Sequence, residues 1–206
     1  MISKSLFLDA ETIGQSVFKS PIINWSYIVV DWNRFITNPY TFEELLDEMQ
    51  FTKFKLQQQM VDGCVYSKRD LQFWLDQPNG VDVLKPIEGE VHVSTGLEQL
   101  LNYVTEQGKI SRWWTRANCF DPIFLQRIAE TNGFSMDEIN KIIPYWLVRD
   151  TRTYIDTRFN FKNKKNAFCP YDDEKLWASK FELHNSRHDV AADILRLQRI
   201  EQIISE

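Results

Sequence analysis

The feature that most constrains this chain is a short apolar run, residues 5–8, that leads directly into Asp9 and Glu11. Such a run, apolar and followed by polar residues, reads as a buried strand. In extended backbone, positions i and i+2 point to the same side, so the two carboxylates share one edge of a sheet. Like charges held this close repel and raise each other's pKa unless a cation sits between them, so the arrangement favours a divalent metal. An Asp after a strand also suits a turn or a cap, and the pair alone leaves both readings open.

The rest of the pattern alternates between helix and strand. Residues 27–30 read as a second buried strand, and residues 51–56 as a half-exposed edge strand with Thr52, Phe54 and Leu56 inward and Lys53 and Lys55 outward. Ser67 and Asp70 resemble the cap of an amphipathic helix that carries Leu71, Phe73, Trp74 and Leu75 and ends before Pro78; residues 78–93 read as loop. A helix from Ser94 or Thr95 to Gly108 would bury Leu97, Leu100, Leu101 and Val104, and residues 110–115 follow as a strand. Pro122 to Thr131, closed by Asn132-Gly133, reads as helix with Ile123, Phe124, Leu125 and Ile128 inward. Residues 142–148 read as a further strand, and residues 189–204 as a last helix with Ile194, Leu197, Ile200 and Ile204 at helical spacing. This order implies an α/β domain, a mixed sheet flanked by helices. A length of 206 residues fits one domain spanning 1–206.

Charge narrows the function classes. The net charge of -5 excludes a polycation that coats nucleic acid, so any such contact must be local. Between residues 149 and 165, six basic residues (Arg149, Arg152, Arg158, Lys162, Lys164, Lys165) face two acidic ones, and this strip is a phosphate-facing candidate or a solvated loop. Cys64, Cys119 and Cys169 form no C-x-x-C pair and are odd in number, which argues against a disulfide framework or zinc knuckle and fits a reducing cytoplasm. With no apolar stretch of spanning length and no signal-peptide core, the expectation is a soluble cytoplasmic protein with no membrane partner.

Two further acids stand at element boundaries. Asp121, before Pro122, follows a strand and heads a helix, where it also suits an N-cap. His184 and Asp189 stand in an H-x-x-x-x-D spacing at the front of the last helix; His188 and Asp193 repeat that spacing one turn later. A polar helix start with Asp189 in its first turn is the plain alternative.

In combination, Asp9-Ala10-Glu11-Thr12, Asn118 through Asp121, and His184 through Asp189 resemble the three motifs of the DEDDh branch of the DnaQ-like exonucleases, and Asp150-Thr151 resembles the Asp-Thr often found after that family's fifth strand. The resemblance implies a ribonuclease H-like fold and metal-dependent 3′–5′ hydrolysis of single-stranded nucleic acid ends, DNA favoured over RNA. It implies two divalent cations, Mg²⁺ or Mn²⁺, with Asp9 bridging both, Glu11 and Asp189 on one, and Asp121 approaching the other mainly through water. His184 would be the general base. Thr12, Ile13, Asn118 and Phe120 would line the substrate pocket, with a strand-to-loop turn as the alternative for the first two. An exoribonuclease of the same fold, or a catalytically silent binding domain, would be the alternatives. Trp113 and Trp114 suit core packing better than base stacking, because they fall inside a strand.

Overall fold

The computed structural model describes residues 3–116, 119–158 and 180–206. Its central strand, β1, runs over Lys4–Thr12, so Asp9 and Glu11 lie within the strand rather than beyond its end. Alternation sorts the side chains: Leu6, Leu8 and Ala10 face one core, whereas Phe7, and with it Asp9 and Glu11, face the other. β1 pairs antiparallel with β2 (Ile22–Asp31), and the register shifts between Glu11 and Thr12. β3 (Gln50–Lys53) adds to the outer edge of β2, while β4 (Arg112–Thr115) and β5 (Val148–Asp150) continue the sheet in parallel with β1. The strand order is β3-β2-β1-β4-β5.

Helices cover both faces. α1 (Arg34–Thr37) and α2 (Phe42–Glu48) follow β2; α3 (Leu56–Val61), α4 (Lys68–Leu75), α5 (Gly80–Leu84) and α6 (Val93–Gln107) follow β3. α7 (Asp121–Thr131) and α8 (Met136–Ile142) connect β4 to β5, which leads into α9 (Thr151–Arg158); α10 (Ser186–Ser205) closes the chain. On one face Leu97 and Leu100 of α6 and Phe124 and Ile128 of α7 pack on Leu6, Leu8 and Trp25. On the other, Val190, Ile194, Leu197 and Ile200 of α10 pack on Phe7, Ile28 and Val30. Each fully buried aliphatic chain contributes about 1.5–3 kcal/mol, so these two layers fix where α7 and α10 meet the sheet. Trp113 and Trp114 are each 2% exposed and belong to these cores, as their strand position implies.

Several local expectations are corrected. The edge strand stops at Lys53; Phe54 donates its N–H to the Ile23 carbonyl and bridges Val91, and Leu56 begins α3. Lys53 is buried, not outward, because its Nζ reaches the carbonyl of Val83. In α4 only Trp74 is buried, while Phe73 and Leu75 are exposed, since this short helix touches the body through a small cluster of Ile13, Ile23 and Trp74. Residues 78–93 contain α5. The strand expected over 142–148 is displaced: helix α8 runs through Ile142, a 3-10 turn occupies Tyr145–Leu147, and pairing with β4 begins at Val148. Apolar residues there serve helix packing, with Ile139 and Ile143 in the core. Ile204 is exposed in the last turn of α10. No described helix is long and apolar enough to cross a membrane.

Candidate metal centre and cleft

The site begins with the alternation of β1. Asp9 and Glu11 point to the face covered by α10, whose first turn carries Asp189. The start of α10 is pinned: Asn185 accepts from the backbone N–H of Arg187, and the Ser186 hydroxyl donates to Asn24 Oδ1 (2.7 Å) and lies 2.7 Å from the Ser26 hydroxyl, both on β2. Asn24 and Ser26 are the β2 partners of Glu11 and Asp9, so this anchor delivers Asp189 to the two acids. One carboxylate oxygen from each of Asp9, Glu11 and Asp189 lies within 4.8 Å of the others.

Asp121 enters from the other side. β4 pairs with β1 only as far as Phe7, which leaves the Ala10 N–H without a strand partner, and Asp121 Oδ1 accepts it at 3.2 Å. The Ncap position of α7 is Phe120, so Asp121 is the first helical residue and ties the helix to the strand rather than capping it. Asn118 lies outside the described residues, as do Lys162, Lys164 and Lys165 of the basic strip. Of the remaining strip, Arg149 donates to the carbonyls of Trp146 and Val148, and Arg158 lies over the Tyr154 ring.

Packing these acids together is costly, and their protonation shows it. Burial, and then the charges of Asp121, Glu11 and Asp189, raise Asp9 well above the ordinary carboxylate range. Burial and the charges of Asp189 and Asp121 push Glu11 to about 8. Asp121 is pushed to about 7 by burial, against the Ala10 N–H that favours its charged form. Asp189 is also raised to about 7, by burial and the nearby Asp193 charge. A divalent cation would remove this penalty, and an all-oxygen donor set suits a hard ion such as Mg²⁺ or Mn²⁺. The residues present therefore fit the group that the sequence implied.

Beside the cluster, a cleft of about 390 Å³ runs from Glu11, Thr12 and Gly14 to Phe73, Phe120 and His184. His184 sits before α10 in left-handed backbone (φ 59°), with its ring edge-on to Phe73 and Trp74 at 5.2 and 5.8 Å. Burial pushes its pKa below the ordinary imidazole value, which favours the neutral, proton-accepting form. Thr12 lines the cleft, whereas Ile13 is 3% exposed and packs beneath it with Ile23 and Trp74.

The second His/Asp pair is engaged differently, although Asp193 stands one turn beyond Asp189 and its charge reaches Asp9 and Asp121. His188 accepts the Glu182 N–H and packs against Phe42 and Phe181, and Asp193 is ion-paired to Arg116 and Arg196 while accepting the Thr151 hydroxyl at 2.6 Å. Asp150 caps α9 by accepting the Thr153 N–H. The sequence reading missed Arg116, Arg69 and the indole of Trp74, which donates to the Thr12 carbonyl at 2.9 Å. Only the cap signal at Ser67 and Asp70 hinted that α4 had a fixed place, and nothing local showed which place.

No protein-family profile matches this sequence, and no curated protein does. Solved structures do match. Apo exonuclease I superposes with a TM-score of 0.57 at 14% identity, covering 100% of this chain and 42% of that one. The zinc-bound E. coli ExoI–ssDNA complex gives 0.55 at 14% identity, over 100% and 41%. Cell-death related nuclease 4 gives 0.60 at 12% identity, over 98% and 64%. The chain thus spans less than two thirds of each of these proteins, and what it shares with them is the ribonuclease H-like fold of exonucleases.

Proposed function

We propose that this chain is a metal-dependent 3′–5′ exonuclease, a single domain over residues 1–206, that removes nucleoside 5′-monophosphates from single-stranded DNA ends. The observation that carries the reading is the convergence of Asp9, Glu11 and Asp189 beside a cleft lined by Glu11 and His184. Asp9, Glu11 and Asp189, with Asp121 at the rear, would hold two divalent cations. Such ions lower the pKa of water and neutralise charge on the leaving oxygen of a phosphodiester. His184, kept neutral by burial, takes the proton of the attacking water on a ring nitrogen. Thr12 and Phe120 bound the space for the terminal nucleotide, with Phe120 offering a ring for base stacking. Ile13 supports the floor of that space from below, and Asn118 completes the second motif before Asp121.

The segments LFLDAETIG, RANCFDPIFL and HNSRHDVAADIL are similar to segments of exonuclease A of T-even bacteriophages, which supports phage DNA metabolism in the host cytoplasm as the setting. The test is hydrolysis of 5′-labelled single-stranded DNA and RNA with Mg²⁺ or Mn²⁺. A ladder shortening from the 3′ end, with nucleoside 5′-monophosphate as product and DNA preferred, is the expected result. Internal cuts, shortening from the 5′ end, or no hydrolysis would refute it.

A further inference from the structure

The cleft does not end at Glu11; it opens toward the loop between β1 and β2 and the N-terminal end of α4, where Gln15 and Arg69 line it. That loop and α4 are held together. The Val65 N–H donates to the Lys19 carbonyl at 2.8 Å. Gly14, at φ 103°, is pressed so closely on the other elements that an added Cβ would meet Ser20 Oγ at 2.8 Å and Asp70 Cγ at 3.0 Å. The capping box of Ser67 and Asp70 fixes the start of α4.

This joined rim displays a composition at odds with an acidic chain. Phe18 is 74% exposed and Tyr66 39% exposed, with Lys19 and Lys68 beside them on the surface. Neither lysine is ion-paired among the described residues, and the one acid of the group, Asp70, is engaged by Ser67. An exposed phenyl ring gains nothing from water, whereas aromatic rings alternating with cations form a surface on which bases stack and phosphates are neutralised.

We infer that Phe18, Lys19, Tyr66 and Lys68 form a track for the nucleotides on the 5′ side of the terminal one, delivering a single strand into the cleft past Arg69. The inference rests on the exonuclease reading and deepens it by giving the substrate a length dependence. The cleft alone takes the terminal nucleotide; the track engages the following ones, so a dinucleotide misses it and a longer strand does not.

The experiment compares kcat/KM for a dinucleotide and for an oligonucleotide of about twelve residues, in the wild-type chain and in Phe18→Ala/Lys19→Ala/Tyr66→Ala/Lys68→Ala. The wild type should favour the longer strand, and the quadruple variant should lose at least about tenfold on it while its dinucleotide hydrolysis stays unchanged. Lys19→Ala/Lys68→Ala, which removes only two surface charges, should reduce the slope of log Kd for the longer strand against log salt by about 1.4, at about 0.7 per phosphate contact on a single strand. A wild type with equal kcat/KM on both substrates, or variants that keep the length preference and the salt slope, would overturn the track and leave the exonuclease reading standing. Failure of the wild type to hydrolyse either substrate would overturn both.

Discussion

Glu11→Gln offers a direct measure of what the acid cluster costs the metal-free protein. Burial and the charges of Asp189 and Asp121 raise Glu11 from 4.5 to about 8. The sign follows from linkage: below pH 4.5 both folded and unfolded chains carry the proton, and the group has no effect. Between 4.5 and 8 the unfolded chain sheds the proton while the folded one retains it, so stability falls as pH rises, and above 8 the full cost is present. At about 1.4 kcal/mol per pH unit of separation, that cost is about 5 kcal/mol. Glutamine keeps the volume but buries an amide in need of partners, which costs about 1–3 kcal/mol. The net gain near pH 8.5 is therefore about 2 kcal/mol or more, or about 4–8 °C in Tm for a chain of this size. Near pH 5 the carboxylate costs only about 1 kcal/mol, the amide cancels it, and the variant should melt no higher than wild type. Calorimetric melting in chelator at both pH values reads this difference. A divalent ion at about 100 times its Kd adds about 2.7 kcal/mol to the wild type, and Glu11→Gln should lose most of that rise. A variant melting at or below wild type near pH 8.5 in chelator, or gaining equally at both pH values, would show that the cluster is not electrostatically strained.

Other expectations follow from the same geometry. Asp9→Ala and Asp189→Ala should each lower turnover on the order of a thousandfold in saturating Mg²⁺ and DNA, and near-wild-type rates for either would remove the carboxylates from the chemistry. His184→Ala should cut kcat strongly while calorimetric metal binding survives, and His188→Ala, whose ring is engaged by Glu182 and Phe42, should cost much less; the reverse ranking would transfer the base to His188. Because burial holds His184 below 6.5 and a base must be neutral, kcat at saturating metal should rise with pH up to that region and then level, and a flat profile at lower pH would exclude His184 as the base. Asp193→Ala would remove the buried acceptor that Arg116, Arg196 and the Thr151 hydroxyl share, at a cost of about 3 kcal/mol, and an unchanged Tm would show that this buried network contributes nothing.

Local chemistry in the sequence determined what depends on near neighbours. The alternation of residues 5–11 set Asp9 and Glu11 on one side of a strand whatever that strand paired with, since successive side chains of extended backbone must alternate. Helical spacing and end signals placed α6, α7 and α10 to within a few residues, because capping groups and a Gly or Asn at the C-terminus act within one turn. Only tertiary structure decided the rest. Residues 142–148 are apolar enough for a strand, but hydrogen-bond partners on β4 are reached only at Val148, and strand pairing is a property of two distant segments. Two histidines stood at the same forward spacing from an Asp; His184 meets the cleft and His188 a wall of Phe42 and Phe181 because Ser186 is bonded to β2 at Asn24 and Ser26. The rotation of α10 about that anchor turns the face shared by Asp189 and Asp193 toward β1; one turn apart along it, Asp189 reaches Asp9 and Glu11 while Asp193 meets Arg116 and Arg196, and no pattern within the helix itself distinguishes the two acids.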